Sequence, residues 1–149
     1  MKLSLNQIAW LIPVSMLIHQ LEEYFAGFAV WYSDILDTDF SSNDFILINS
    51  IALIIFLLFS LAYNLGYKNQ VIFLALGTLL LINGVVHTFF TLFMLQYSPG
   101  TISGIILFIP LGIVQRRKLS AKLSKDEMLL GTVFGIIGLL TVSVIAYNT

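Results

Sequence analysis

The sequence lacks cysteine altogether and contains little charge. Among its 149 residues, Asp, Glu, Lys and Arg together make up only 10%. The absence of cysteine excludes disulfides, thiolate metal sites and cysteine nucleophiles. Because an ordinary soluble domain carries about 25% charged residues, a chain this poor in charge argues against a soluble enzyme. The net charge of -1 also excludes the basic surface that nucleic-acid binding requires.

Long apolar runs take the place of the missing charge, since 58% of the residues are hydrophobic. An apolar run of about 20 residues is long enough to cross the hydrocarbon layer of a bilayer as a helix. Helices are the default because each backbone polar group in lipid needs a partner within its own segment. The sequence therefore predicts an all-α, polytopic membrane helix bundle, formed by residues 1–149 as a single domain. Its five transmembrane helices are expected at residues 7–28, 45–65, 71–95, 101–114 and 126–147.

The loop charges predict the orientation of this bundle. With five spans, all seven basic residues fall on the same side: Lys2, Lys68, Arg116, Arg117, Lys118, Lys122 and Lys125. The connection between the first two spans carries only acidic charges. The positive-inside rule then places the N-terminus in the cytoplasm and the C-terminus outside. Short loops in a compact chain favour an integral protein of a bacterial plasma membrane.

Two stripes of polar side chains interrupt the predicted spans. In the first span His19 is followed by Glu22 and Glu23, three and four residues later, on one helical face. In the third span Asn83 and His87 have the same four-residue spacing. A charge at the membrane centre costs about 2.5–3.5 kcal/mol, and no Lys or Arg lies within a span to offset it. The two glutamates therefore need a proton, a metal ion or water in a cavity.

The two stripes are expected at the same depth in the membrane. Both spans run outward, and each His lies about nine residues, or roughly 13 Å, below the outer end of its helix. We therefore expect these two helices to pack side by side, with His19 facing His87. Their imidazole nitrogens should then approach within roughly 4–7 Å, the reach of a shared metal. The turn at 97–101 should close over this end of the bundle.

These polar residues also carry a family resemblance. The chain resembles the HXXEE-motif family of small integral membrane proteins, on the basis of three motifs that occur in the family's order. The motifs are His19-x-x-Glu22-Glu23, Asn83-x-x-x-His87 and the turn Tyr97-Ser98-Pro99-Gly100-Thr101. The family is named for its motif because its biochemistry is largely undescribed. The resemblance therefore implies a shared site and says little about the reaction.

The chemistry of the polar residues suggests a metal site. His19 and Glu23, at i and i+4, can chelate one ion from a single helix, and His87 would complete three protein ligands with a fourth position open. The sequence H-x-x-E-E is similar to the inverted zinc-protease motif H-x-x-E-H, which gives Glu22 the role of general base. A divalent metal is expected, with zinc the first choice and iron or manganese also suitable. Orientation of a ligand or substrate is assigned to Asn83, Tyr97 and Thr101.

Three classes of function follow from this set of residues. The first is a metal-dependent membrane enzyme, a hydrolase that acts on a lipid or another apolar small molecule from the outer leaflet. Its substrate would enter sideways from lipid beneath the 97–101 turn. The second is a metal-free enzyme that uses His and Glu for proton transfer, as an isomerase would. The third is a non-enzymatic transporter or ion-handling membrane subunit. No nucleic-acid partner is expected.

Overall fold

The computed structural model describes residues 3–149, and helices are the only regular structure within that range. The all-α prediction is therefore confirmed for these residues, whereas Lys2 lies outside them. The fifth helix, α5, runs unbroken over residues 101–119 and contains a π-helical turn at Gly104–Phe108 between Thr101–Ser103 and Ile109–Leu119. The other helices are α1 (Leu5–Phe25), α2 (Phe28–Leu36), α3 (Ser42–Asn64), α4 (Gln70–Met94) and α6 (Lys125–Tyr147).

Three of these helices have the length and composition of membrane spans. Helices α3, α4 and α6 contain 23, 25 and 23 residues, and each includes an 18-residue stretch whose mean hydropathy is 2.7, 2.0 and 2.4, respectively. Their outward faces leave large apolar side chains exposed, among them Leu58 (60%), Leu92 (69%) and Val144 (60%). Apolar surface of this extent suits contact with lipid and is rare on soluble monomers. The helices therefore have the character expected of a membrane protein.

Helix α2 was not predicted from the sequence. The first span was expected to reach residue 28, but α1 ends at Phe25, and Gly27 then adopts a positive φ of 78° that turns the chain into α2. On α2, Ala29 is buried in a small apolar cluster with Phe45 of α3 and Ala146 of α6. The segment that looked like an acidic loop therefore covers one end of the bundle.

The fourth predicted span also differs from the structure, because α5 does not end at residue 114. It continues to Leu119. Its last turn contains Arg116, Arg117 and Lys118, and positive charges there interact favourably with the carboxyl end of the helix dipole. The π-helical turn ends two residues before Pro110, so the irregular hydrogen bonding falls where proline would disturb an α-helix.

A neighbouring helix compensates for the proline inside α1. Pro13 has no N–H to bond the carbonyl four residues earlier, which belongs to Ala9. The hydroxyl of Ser60 on α3 donates to that carbonyl oxygen at 2.6 Å. Ser60 is fully buried, so this bond ties α1 to α3 in the interior.

Glycines bring the helices around α4 into close contact. A Cβ atom on Gly84 would lie 2.9 Å from the carbonyl oxygen of Gly104, so α4 and α5 touch backbone to backbone. On α6, Gly131 and Gly135 rest directly against α4, as small residues commonly do where membrane helices pack closely. Helix α1 packs mainly on α3 and α5 and makes little contact with α4. The predicted side-by-side packing of α1 and α4 is therefore not found, although His19 and Glu23 of α1 do reach His87 of α4.

Candidate metal centre

Three buried side chains from two helices meet inside the bundle. His19 and Glu23 on α1 and His87 on α4 are only 3%, 5% and 4% exposed. The Nε2 atoms of His19 and His87 lie 3.3 and 3.2 Å from the same oxygen, Oε1 of Glu23. One potential ligand atom from each residue lies within 4.8 Å of those from the other two. The structure thus brings together His19 and His87 as predicted from their matched depth.

Two serines hold the imidazole rings in this arrangement. Nδ1 of His19 lies 2.8 Å from Oγ of Ser103, and Nδ1 of His87 lies 3.0 Å from Oγ of Ser98. Both serines are buried. When each ring carries its proton on Nδ1 and donates it to the serine, the lone pair on Nε2 points towards Glu23. Metal-binding histidines commonly have such a partner on the second nitrogen, since it fixes the orientation of the ring.

Aromatic rings separate the cluster from water. The ring centroid of Phe108, the last residue of the π-helical turn in α5, lies 4.2 Å from the ring centroid of His19. Phe28 of α2 lies 5.9 Å from His87. These apolar walls lower the local dielectric, so charges within the cluster interact more strongly than they would in water.

The turn before α5 covers the cluster with backbone atoms. Gly100 has a φ of 99°, and a Cβ atom there would lie 2.7 Å from Cε1 of His19 and 3.1 Å from Cγ of Glu23. Glycine is therefore required for two reasons: the positive φ disfavours other residues, and there is no room for a side chain next to His19 and Glu23. Because this turn closes tightly over the cluster, it does not provide the sideways entrance that the sequence suggested.

Glu22 is oriented away from the cluster. Its Oε1 accepts hydrogen bonds from the backbone N–H of Ile102 at 2.9 Å and from the hydroxyl of Tyr97, and its Oε2 accepts one from the N–H of Ser103 at 2.6 Å. A carboxylate at a helix N-terminus satisfies free N–H groups and complements the helix dipole. Glu22 thus anchors the start of α5. These contacts do not support the predicted role of general base.

Tyr97 and Thr101, which were predicted to orient a substrate, instead form hydrogen bonds to other residues of the protein. Burial, the hydrogen bond to Glu22 and the negative charge of that carboxylate together raise the pKa of Tyr97 to about 12. The phenol is therefore protonated at neutral pH and donates a hydrogen bond to Glu22. Thr101 Oγ1 donates to the carbonyl of Ser98 at 2.6 Å and lies 2.7 Å from Oγ1 of Thr91. Neither residue lines the cavity described next, so their predicted role in orienting substrate is not supported.

A cavity of about 290 Å³ lies beside the cluster, between α1, α3, α4 and α6. His19 and Glu23 form part of its wall, and most of the remaining lining is apolar. Asn83, the third residue predicted to orient a substrate, does line this cavity. Its Oδ1 is buried and has no hydrogen-bond partner within residues 3–149. A ligand in the cavity could supply that missing partner.

One side of the cavity faces outward between α3 and α6. Ile55 of α3 and Val142 of α6 both line it, yet they are 53% and 36% exposed. These two helices meet chiefly near Phe45 and Ala146, at the end covered by α2. The gap between them is therefore the open side of the cavity, and its apolar rim is suited to lipid.

The fold and the cluster define a small α-helical protein with membrane-type helices and a buried His–Glu–His group beside an apolar cavity. A family model described as "Protein of unknown function with HXXEE motif" matches residues 10–115. The chain belongs to this family, so the resemblance seen in the sequence is confirmed. The match includes the three clustered residues and both serines, and it ends before α6. No curated protein and no solved structure matches the chain.

Sequence reasoning missed the two serines that hold the histidines. Ser98 was part of the quoted turn motif, yet it received no role of its own. Ser103 follows that turn by two residues and is an ordinary residue in an apolar segment. The available signal was their position next to a turn expected to close over the histidines.

Proposed function

We propose that the protein is a membrane-embedded, metal-dependent enzyme whose divalent ion is held by His19, Glu23 and His87. Zinc is the first choice, and iron or manganese suit the same nitrogen and carboxylate ligands. One observation carries the proposal: two imidazole Nε2 atoms face a single carboxylate oxygen in a buried site. The substrate we propose is a lipid or another apolar molecule that occupies the adjoining cavity.

The spacing within the cluster supports a shared metal. Charge-assisted N–H···O bonds are about 2.7–2.9 Å long, whereas the contacts to Glu23 are 3.3 and 3.2 Å. Two ligands on a tetrahedral ion, each bonded at about 2.1 Å, are separated by roughly 3.4 Å. In addition, Nε2 of His19 is buried and has no hydrogen-bond partner within the described residues. An ion would provide the partner that this atom lacks.

The cavity supports hydrolysis of an apolar substrate. Three protein ligands would leave one coordination position of a tetrahedral ion open. A divalent metal held by these ligands would polarise a substrate oxygen or a water molecule at that position. Asn83 lies on α4 one turn before His87, and its unpartnered carboxamide can bind a polar group of the substrate. The hydrocarbon part would fit the apolar lining and enter between α3 and α6.

The enzyme proposal can be tested without knowing the substrate. Purified protein is incubated with a bacterial lipid extract, and new lipid species are followed by mass spectrometry, with Glu23→Gln protein as the control. Products that require both an intact Glu23 and a divalent metal would support the proposal. Products formed by metal-free protein would favour proton transfer by the same His and Glu residues. Identical lipid profiles with both proteins would favour a non-enzymatic role.

We also propose that α1 and α5 cross the membrane together with α3, α4 and α6. Helix α1 has 21 residues. Helix α5 runs antiparallel to α4, because Gly104 lies against Gly84 and the later Gly112 lies against the earlier Gly77. Lys68, Arg117 and Lys122 line one concave surface at one end of the bundle, and the His–Glu–His cluster lies towards the other. The basic end would be cytoplasmic by the positive-inside rule, in a bacterial plasma membrane. The C-terminus would then be outside.

Cysteine labelling tests this topology on a chain that has no native cysteine. Cysteines placed at Asp37 and Thr149 should react with a membrane-impermeant maleimide added to intact cells, because both positions would be outside. A cysteine at Lys122 should react only after the cells are opened. Labelling of Lys122 in intact cells would contradict the five-span arrangement.

The serines give a prediction about metal affinity. Ser103→Ala and Ser98→Ala should each weaken zinc binding by roughly 10–100-fold, because a partner that orients a metal-binding histidine is lost. Zinc competition with a fluorescent chelator in detergent measures the change. The matched control is Ser60→Ala, which removes another buried hydroxyl that bonds the backbone of α1. If all three variants bind zinc equally, the serines do not support a metal site.

A further inference from the structure

A second concave surface lies at the end of the bundle opposite the His–Glu–His cluster. Its volume is about 570 Å³, and it is formed by the start of α1, the α3–α4 turn and the end of α5 with the loop that follows. Four basic side chains line it, with Asn6 and Gln70 as further polar groups. The basic residues are Lys68, Arg117, Lys118 and Lys122.

Nothing in the described part of the chain neutralises these charges. The lining contains no acidic residue, and none of the four cations forms a salt bridge within residues 3–149. Glu127, near the start of α6, accepts hydrogen bonds from Ser124 instead. Four like charges around one concavity repel each other, and an anion bound between them would remove that repulsion.

A general preference for basic residues at this end of the bundle does not explain why four of them line the same concave surface. Arg116 and Lys125 are equally basic and belong to the same region of the chain, but they line a different concave surface. There, Nη1 of Arg116 donates to Oγ1 of Thr132 at 2.8 Å. The cations that converge are therefore a subset, and the other two provide an internal comparison.

We propose that this basic concavity binds the phosphate group of an anionic membrane lipid. Basic pockets between helices on the cytoplasmic side commonly hold such headgroups. Tyr63 is fully buried and donates to Oε1 of Gln70 at 3.0 Å, so the amide nitrogen of Gln70 remains as a donor for a phosphate oxygen. The concavity lies where the apolar helix α3 ends and α4 begins, which is the level of lipid headgroups. This position favours a lipid phosphate over a soluble one.

Native mass spectrometry of the full-length protein in detergent tests the proposal. Phosphatidylglycerol and phosphatidylcholine are added separately, and the bound lipid is measured for the wild type and for two variants with the same change in composition. Lys68→Gln/Arg117→Gln should bind phosphatidylglycerol roughly tenfold or more weakly, because each basic residue adds to the attraction of an anionic lipid. Arg116→Gln/Lys125→Gln should bind it as the wild type does, and phosphatidylcholine should bind weakly to all three.

Other results would overturn the proposal. Equal loss in the two double variants would show that only net charge matters, and equal binding of the two lipids would exclude recognition of the anionic headgroup. Inorganic phosphate is tested alone by its effect on thermal stability: stabilisation that matches phosphatidylglycerol and is lost in Lys68→Gln/Arg117→Gln would identify a soluble-phosphate site. A charge-preserving variant, Lys68→Arg/Arg117→Lys, should retain lipid binding, and its failure to do so would contradict the electrostatic basis.

Discussion

Changing Glu23 to glutamine should weaken zinc binding by roughly 100-fold or more. Loss of a residue that only orients a metal ligand already costs about 10–100-fold in metal affinity, and Glu23 is proposed to be a ligand itself. The substitution preserves the shape of the side chain but removes the charge of the only carboxylate in the cluster. Oε1 of Glu23 is the atom that both histidines face, at 3.3 and 3.2 Å. Zinc competition in detergent measures the affinity.

Glu22→Gln is the matched control for this experiment. It makes the same chemical change at the adjacent residue, whose carboxylate bonds the start of α5 and not the cluster. We expect this variant to keep its zinc and to lose some thermal stability, because charge-assisted hydrogen bonds to a helix N-terminus become weaker. Equal zinc affinity of the wild type and Glu23→Gln would contradict the ligand assignment, as would an equal loss in the two variants.

Changing Gly100 to alanine should both destabilise the protein and disrupt the cluster. Alanine at a φ of 99° is strained, and its Cβ would lie 2.7 Å from Cε1 of His19. That ring cannot easily move, since it is bonded to Ser103 and lies against Phe108. Backbone strain of about 1–2 kcal/mol and overpacking of about 1–3 kcal/mol suggest a combined loss of about 2–5 kcal/mol. Thermal unfolding in detergent and zinc competition measure the two effects.

Gly66→Ala separates the two causes. Gly66 has a similarly positive φ of 113°, but a Cβ atom there would meet nothing within 4 Å. This variant should therefore show only the cost of backbone strain, about 1–2 kcal/mol, and should bind zinc normally. If Gly100→Ala is no more destabilising than Gly66→Ala and retains its zinc affinity, the turn does not press on the histidine as described.

The convergence of the three cluster residues was predictable from sequence spacing and membrane depth. His19 and Glu23 are four residues apart, so they share a face of α1 whatever the surrounding structure. His87 comes from a distant segment of the chain. Predicted spans all run across the bilayer, however, and His87 lies as far from the outer end of its span as His19 does, so both were expected at the same depth. These constraints hold before any detail of side-chain packing is known.

The roles of Glu22 and the serines depend on the position of α5, which spacing does not determine. Successive residues lie about 100° apart around a helix, so Glu22 and Glu23 face different neighbours even though each is close to the face of His19. Glu22 meets the N-terminus of α5, and Ser103 then reaches His19 from there. The close approach of Gly84 and Gly104 brings α5 against α4, and a single sequence does not reveal that tertiary contact.

The open side of the cavity was not predictable for a similar reason. A sideways entry from lipid was expected beneath the turn before α5, but Gly100 presses that turn onto His19. The gap between α3 and α6 arises because α2 holds these helices together at one end only, through Phe45 and Ala146. Since α2 was itself interpreted as a loop, the sequence offered no reason to expect the opening there.

The most direct test of the central claim is X-ray absorption spectroscopy combined with elemental analysis of wild-type protein purified without chelators. Metal ligation by His19, Glu23 and His87 predicts one divalent ion per chain. Its nearest shell should contain two imidazole nitrogens and a carboxylate oxygen at about 2.0–2.2 Å. Folded protein that contains no metal and does not take up added zinc, iron or manganese would contradict the claim.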